Sequence, residues 1–171
     1  MGSVNDAVEA SGLAWTHLWP ADFMENVRMW FPQIRETGEV REPWPDAASA
    51  PTAMDDIAEV AAVALLEGGH RGRSYGLRGP AGVSRREMVA ALAEATGVPI
   101  GFVPSTPEET VRALEPAMPN AAWYVANVLT GLAGGEPQPN TLVADVTGRP
   151  ATTFAAWATA HADDLRAAIT P

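Results

Sequence analysis

Ser11-Gly12-Leu13-Ala14-Trp15-Thr16-His17-Leu18-Trp19-Pro20-Ala21-Asp22-Phe23-Met24-Glu25-Asn26 is the stretch on which the architecture turns. A short helix is predicted over residues 4–11, and Gly12 stops it, since glycine takes a left-handed cap without a Cβ penalty. The apolar run from Leu13 to Trp19, ended by Pro20, reads as a short buried strand. Asp22 then opens a helix, with Glu25 at capping-box spacing and Asp in place of the usual Ser or Thr. Apolar Phe23, Val27, Trp30, Phe31 and Ile34 recur along that helix, and Pro32 interrupts it. Helix, strand and helix in quick succession are the building unit of an α/β chain.

The alternation continues. Residues 39–42 read as a short strand and residues 43–51 as a Pro/Ala-rich loop. Asp55 or Asp56 caps an apolar helix through Leu66, which Gly68-Gly69 stops. Residues 73–78 form the next strand, closed by Gly79-Pro80. Ser84-Arg85-Arg86-Glu87 is a full capping box before a helix that runs to Thr96 and ends at Gly97. Residues 99–103 give a third strand, and Thr106-Pro107 starts a helix with Pro in its favourable first position. Residues 121–132 are helical, residues 134–139 form a loop, and Thr153 caps a final amphipathic helix with Phe154, Trp157 and Leu165. Strands alternating with helices imply parallel pairing.

Composition narrows the chemistry. The chain has 171 residues, enough for one domain with a real core, and that domain is expected to span residues 1–171. All eleven basic residues are Arg. No Schiff-base lysine, P-loop lysine or Tyr-Lys proton relay is therefore available. With no Cys there is no disulfide or thiolate chemistry, and a cytoplasmic location is expected. No signal peptide is visible at the start, and no apolar run approaches the roughly 20 residues of a membrane span. A net charge of -10 would repel a phosphate backbone, so neither nucleic acid nor membrane is an expected partner.

Several side chains could carry function. On a strand, Trp15, His17 and Trp19 share one face. An imidazole between two indoles is a desolvated place to hold a proton. The competing reading is a core His bonded to backbone. Asp22 stands at the C-terminal end of the same strand, where open α/β sheets place ligands. Asp22 and Glu25 form either a carboxylate pair or a helix cap. Asn26 lies near Asp22 on the helix. Trp30, Phe31, Trp44, Met118, Trp123 and Tyr124 are either core or the walls of an apolar pocket, and Trp44 sits in a Pro-rich loop where a core role is harder to argue. Gly72-Arg73-Ser74-Tyr75-Gly76 matches a hydrolase nucleophile elbow, but there a strand must precede the Ser and a helix follow, whereas here the loop comes first. Asp55 and Asp56 read as a cap plus a solvated carboxylate. His70 and His161 read as surface residues, and the three His show no metal-ligand spacing.

The motifs together resemble a known family. Asp6-Ala7-Val8-Glu9, Ser11-Gly12-Leu13-Ala14-Trp15-Thr16, Leu18-Trp19-Pro20 and Phe23-Met24-Glu25-Asn26 are similar to a conserved block of NmrA-like proteins, atypical short-chain dehydrogenase relatives that bind NAD(P). Met54-Asp55-Asp56-Ile57-Ala58, Gly72-Arg73-Ser74-Tyr75-Gly76-Leu77-Arg78-Gly79-Pro80, Val146-Thr147-Gly148-Arg149-Pro150 and Phe154-Ala155-Ala156-Trp157 resemble later segments in the same order. Trp19 replaces the family's usual Arg. The resemblance covers the C-terminal portion of the family only. The Gly-rich turn that seats a dinucleotide's pyrophosphate has no counterpart here. It implies an α/β fold with a truncated Rossmann-like parallel sheet and the NmrA-type C-terminal substrate-binding subdomain. It also places Pro20-Ala21 by the nicotinamide.

These readings lead to an expected function. It is a cofactor-independent enzyme (cyclase, isomerase or dehydratase) acting on a hydrophobic metabolite of bacterial secondary metabolism. His17 and Asp22 are its acid/base groups, and Trp19, Asn26, Trp30, Trp44, Trp123 and Tyr124 its substrate contacts. Two alternatives stand beside it: a subunit of a split NAD(P)-dependent oxidoreductase completed by a separate Rossmann subunit, and a non-catalytic binding or regulatory module. The strand over residues 13–19 lacks its family neighbour, and a bare edge invites pairing. A homodimer through the first two helices and that strand is expected. No cofactor is expected on this chain by itself. Calorimetry of the 171-residue chain with NADPH and NADH should accordingly show no tight binding, and a low-micromolar dissociation constant, about -8 kcal/mol, would overturn this.

Overall fold

The computed structural model describes residues 4–170. Helix α1 (Val4–Ala10) and strand β1 (Thr16–Leu18) open the chain as the sequence predicts, with Gly12 between them at φ 76°. Strands β2 (Glu39–Glu42) and β3 (Ala48–Ser49) follow, then helix α3 (Met54–Leu66). Strand β4 (Arg73–Tyr75), strand β5 (Val83–Ser84) and helix α4 (Arg85–Thr96) come next. Strand β6 (Gly101–Pro104) precedes helix α5 (Pro107–Leu114). Helix α6 (Ala121–Tyr124) widens into a π-helical turn over Val125–Leu129 and resumes as α7 (Thr130–Gly134). Helices α8 (Leu142–Thr147), α9 (Phe154–Ala160) and α10 (Ala162–Ile169) close the chain.

Capping chemistry sets many of these boundaries. At α4, the Ser84 hydroxyl accepts from the Glu87 N–H while Glu87 accepts from the Ser84 N–H. Thr106 and Glu109 do the same for α5, and Thr153 caps α9. Each such cap satisfies helix N–H groups that have no partner inside the helix.

Three corrections apply to the predicted elements. First, Asp22 and Glu25 form no capping box. Residues Met24–Trp30 form a 3-10 helix, and an α-helix, α2 (Phe31–Thr37), starts only at Phe31. Pro32 falls in the first turn of α2, where its missing N–H costs nothing. Second, neither Asp55 nor Asp56 is the N-cap of α3, which is Ala53. Asp56 is buried and accepts from the N–H and hydroxyl of Thr152, tying the C-terminal segment to α3. Third, the final helix breaks at His161, which is half-buried, as is His70.

The sheet is also more divided than the expected run of parallel strands. Among the described residues β1 pairs with β4 and β2 with β6, both in parallel, while β3 and β5 form a short antiparallel ladder. The pairing of β1 with β4 continues past the strand ends through Trp19 N–H to Tyr75 C=O at 2.8 Å and Leu77 N–H to Trp19 C=O at 3.0 Å. The other edge of β1 meets no strand among the described residues.

The main core packs Met24, Trp30, Phe31 and Ile34 against α4 (Met88, Leu92), α9 (Phe154, Trp157) and α10 (Leu165, Ile169). A second cluster joins α5 to the α6–α7 helix through Leu114, Ala121, Val125 and Leu129, with Trp44, Met118 and Tyr124 against it. A third places Val60 and Leu77 against Val143.

Gly79 fastens the loop after β3 to this frame. Its N–H donates to Ala50 C=O at 2.9 Å, and a Cβ there would overlap the Pro51 carbonyl. Gly79→Ala should therefore destabilise by about 1–3 kcal/mol, as overpacking does. Gly131→Ala, whose Cβ meets nothing within 4 Å, should be neutral or mildly stabilising. Urea unfolding of both variants checks this, and equal midpoints would refute the close approach at Gly79.

Candidate functional site

Glu42 ends β2, and its side chain is 1% exposed. A carboxylate that deep must be paired. Arg85, the first residue of α4, meets it with a two-pronged grip: Nε donates to Oε2 at 2.8 Å and Nη2 to Oε1 at 3.0 Å. The Trp30 indole N–H donates to Oε1 at 2.7 Å, and the guanidinium carbon lies 4.8 Å from the Trp30 ring centre. Burial opposes the charge on Arg85. The attraction and hydrogen bonds of Glu42 exceed that penalty and hold Arg85 protonated, above its ordinary range.

Arg85 also reaches across to Tyr124. Its Nη2 donates to the Tyr124 hydroxyl oxygen at 3.4 Å. Burial raises the Tyr124 phenol above its ordinary range. Arg85 pulls it down, while Glu42 and Asp22 push it up. The phenol thus stays neutral and keeps its proton. Tyr124 is the last residue of α6, immediately before the π-helical turn that Thr130 buttresses by donating to Val125 C=O at 3.0 Å. Such turns recur at functional places in helices.

Asp22 follows β1 and faces the same cluster. One oxygen accepts from the Phe23 N–H at 2.9 Å and the Asn26 amide at 2.7 Å, and the other from the buried Ser49 hydroxyl at 2.7 Å. Three donors on one carboxyl group define an acceptor-only carboxylate. Glu25 turns away and accepts from the Met54 N–H at 3.2 Å.

The structure thus brings together Asp22, Asn26, Tyr124 and, behind them, Trp30. Trp30 is 0% exposed, with no surface left for a ligand. Trp44 packs in the same cluster as Tyr124. His17 stands apart. Its ring stacks on Trp15 at 4.5 Å and lies edge-on to Trp19 at 5.9 Å, as the strand alternation predicts, and Nε2 pairs with Glu9 of α1 at 3.1 Å. His17 and Asp22 share no contact among the described residues. Trp19 is half exposed, and Trp123 is exposed on the outer side of α6. Sequence reading missed Glu42, Arg85 and Ser49. Arg85 lay inside a motif read only as a helix cap, and its partner is 43 residues away.

A groove of about 430 Å³ is lined by Trp44, Pro45, Asp46, Leu132, Glu136 and Pro137 among others. Trp44 and Leu132 belong to the packing group that holds Tyr124. A larger cleft of about 510 Å³ lies at the opposite end of β1, between Trp15, Leu18, His70 and the exposed Leu65 of α3. A smaller one of about 260 Å³ is lined by Pro51, Val83, Glu87 and Phe154. Among the described residues no cluster could hold a metal ion, and no helix is long and apolar enough to cross a membrane.

No protein-family model matches the chain. It is 38% identical over 171 residues to an NAD(P)H azoreductase of Xenophilus azovorans, covering 98% of this chain and 60% of that protein. It is 35% identical over 159 residues to a (4-alkanoyl-5-oxo-2,5-dihydrofuran-3-yl)methyl phosphate reductase of Streptomyces griseus, covering 92% and 56%. The chain therefore spans little more than half the length of these curated relatives. Its fold is that of an NADPH-dependent quinone oxidoreductase of Escherichia coli (TM-score 0.75, 22% identity, 91% of this chain and 58% of that one). It also matches a triphenylmethane reductase of Citrobacter (TM-score 0.75, 19% identity, 92% and 56%). These findings support the NmrA-like resemblance at the level of NAD(P)-binding reductases and epimerases. They overturn the expectation of a cofactor-independent cyclase, isomerase or dehydratase, since both curated relatives are reductases.

Glu42→Ala would strand the Arg85 guanidinium in the core and should cost roughly 3–5 kcal/mol. Replacing both partners, as Glu42→Met with Arg85→Met, should recover most of that loss. Equilibrium urea unfolding measures both, and a double variant no more stable than Glu42→Ala would show that the pair is not the stabilising unit.

Proposed function

We propose that this chain is the substrate-side portion of an NAD(P)H-dependent reductase acting on flat, conjugated electron acceptors. The observation that carries the reading is the 38% identity over 98% of the chain to an NAD(P)H azoreductase. The packing is compatible with it: Trp44 and Leu132, which wall a groove, pack in the same group as Tyr124, and Asp22 and Asn26 are hydrogen-bonded to each other.

The N-termini of α3, α4 and α5 do not fit the pyrophosphate of a dinucleotide. A pyrophosphate needs free backbone N–H groups at a helix N-terminus, with no negative charge beside them. In α3 the first turn carries Asp55 and Asp56. In α4 and α5 the capping boxes already use the leading N–H groups, and Glu87, Glu108 and Glu109 crowd the first turns. A carboxylate at each of these ends repels phosphate. The dinucleotide would be held by protein from outside these 171 residues, and no hydride step is derived from the residues here. The open edge of β1 offers that protein, or a second copy of the chain, a place to pair. Asp22 and Asn26, with Trp44 and Tyr124, would then orient the acceptor. His17, in its stack between Trp15 and Trp19, would steady β1 beneath them.

In the protein as it occurs, NADPH should be consumed in step with bleaching of a neutral azo dye or reduction of a naphthoquinone. Asp22→Ala should lower kcat/KM about 10–100-fold, the scale of a lost half-buried, hydrogen-bonded carboxylate. Dye or quinone turnover that proceeds without reduced nicotinamide, or no turnover of either, would falsify the reading.

A further inference from the structure

Helix α3 is apolar through its whole second half, Val60-Ala61-Ala62-Val63-Ala64-Leu65-Leu66, yet it buries only Asp56 and Val60. A helix apolar on every side belongs inside a protein. Here Ala58, Ala62, Leu65 and Leu66 are exposed, the two leucines at 84% and 85%. Their i, i+4, i+7, i+8 spacing puts them on one face of the helix. Leu65 also lines the cleft of about 510 Å³ that Thr16 and Leu18 of β1 share with α3. The strand at that cleft has an open edge. Trp15 C=O, both backbone groups of Trp19 and the Ala21 N–H are bonded on the β4 side. Backbone groups alternate sides along a parallel strand, so those of Thr16 and Leu18 face the edge where no strand pairs among the described residues. Helix α1 needs a cover as well. It has seven residues and buries none, and Val4 and Val8 are exposed. A helix that short does not hold by itself in water.

These three features are what one more strand-and-helix unit would cover. Helix α1 meets β1 through the Glu9–His17 pair, and α3 meets it on the alternate residues Thr16 and Leu18, so the two helices lie on opposite faces of the strand. Strands sandwiched between helices run parallel. Two copies of β1 related by a two-fold axis would have to pair antiparallel, against that arrangement. A parallel partner is available in the relatives. The chain covers 60% and 56% of the two reductases and 58% and 56% of the two solved folds, so a large part of each lies beyond the match. Resting on the function proposed above, in which protein outside these 171 residues holds the dinucleotide, we infer that this α/β part docks on β1. It lays one parallel strand along Thr16–Leu18 and packs over the Leu65–Leu66 face of α3 and over α1.

The test compares the 171-residue chain with a chimera in which it replaces the matching part of the azoreductase relative. Amide hydrogen exchange reads the strand edge. The Thr16 and Leu18 amides should exchange freely in the chain and at least about 100-fold more slowly in the chimera, as amides drawn into a ladder do. The Trp19 amide, bonded to Tyr75 C=O, should be slow in both. Leu65→Glu with Leu66→Glu reads the helix face. In the chain both side chains stand in water, so the urea midpoint should not move. In the chimera two unpaired charges would be buried, and the midpoint should fall by at least about 1 M. Ala90→Glu, on the exposed side of α4, should shift neither midpoint. Fast Thr16 and Leu18 amides in the chimera, a double variant that leaves its midpoint unchanged, or a chimera that fails to fold would overturn the docking site. So would a chain that by itself scatters light as twice 18.0 kDa and already protects Thr16 and Leu18, since a second copy would then hold the edge. A chimera that meets both expectations yet consumes no NADPH with an azo dye would leave the docking site standing and sink the reductase reading. NADPH-driven bleaching with Thr16 and Leu18 unprotected would do the reverse.

Discussion

The buried pair between Glu42 and Arg85 is the constraint around which the site is arranged. Neither charge could sit at that depth by itself. Glu42 is delivered by the C-terminal end of β2, and Arg85 by the first turn of α4, where a cation is disfavoured by the helix dipole. The carboxylate offsets both burial and dipole. It also draws in the Trp30 N–H, so the main core is built onto the pair. From the other side the guanidinium touches Tyr124, so the second packing group is joined to it as well. One ion pair thus fixes the relative placement of β2, α4, the 3-10 segment and α6.

The pair leaves little over. Its hydrogen-bonding capacity is spent almost wholly inward, on Trp30 and on itself, apart from the contact of Arg85 with the Tyr124 hydroxyl. Asp22 adds to this by a parallel device, fixed by Asn26, Ser49 and a backbone N–H.

The distance between expectation and finding is instructive at His17 and at the predicted cap of the second helix. His17 sits between its two indoles as strand alternation requires, yet its ring nitrogen turns to Glu9 on α1 and away from Asp22. Alternation specifies a face, and only the packing of α1 decides what covers it. At Asp22 the spacing to Glu25 satisfied the capping rule, but the carboxylate found Ser49 and Asn26, and Glu25 found the Met54 N–H. A local rule names the partner within three residues. It is blind to a better donor 27 residues away.

Read by itself, the chain determined its punctuation: the capping box at Ser84, the glycine stops at Gly12 and Gly97, and the Thr106-Pro107 start of α5. It also determined the shared face of Trp15, His17 and Trp19, and the similarity to curated reductases. All of these depend on residues within a turn or a strand of one another, or on ordered motifs. Tertiary structure decided the rest. It paired β3 with β5 antiparallel, split the sheet, buried Glu42 against an arginine 43 residues on, and placed Tyr124 at the head of a π-helical turn. The physical reason is common to these. Burial turns a weak surface attraction into an obligatory partnership, and which groups are buried together is set by the packing of whole elements, which no local pattern of residues encodes.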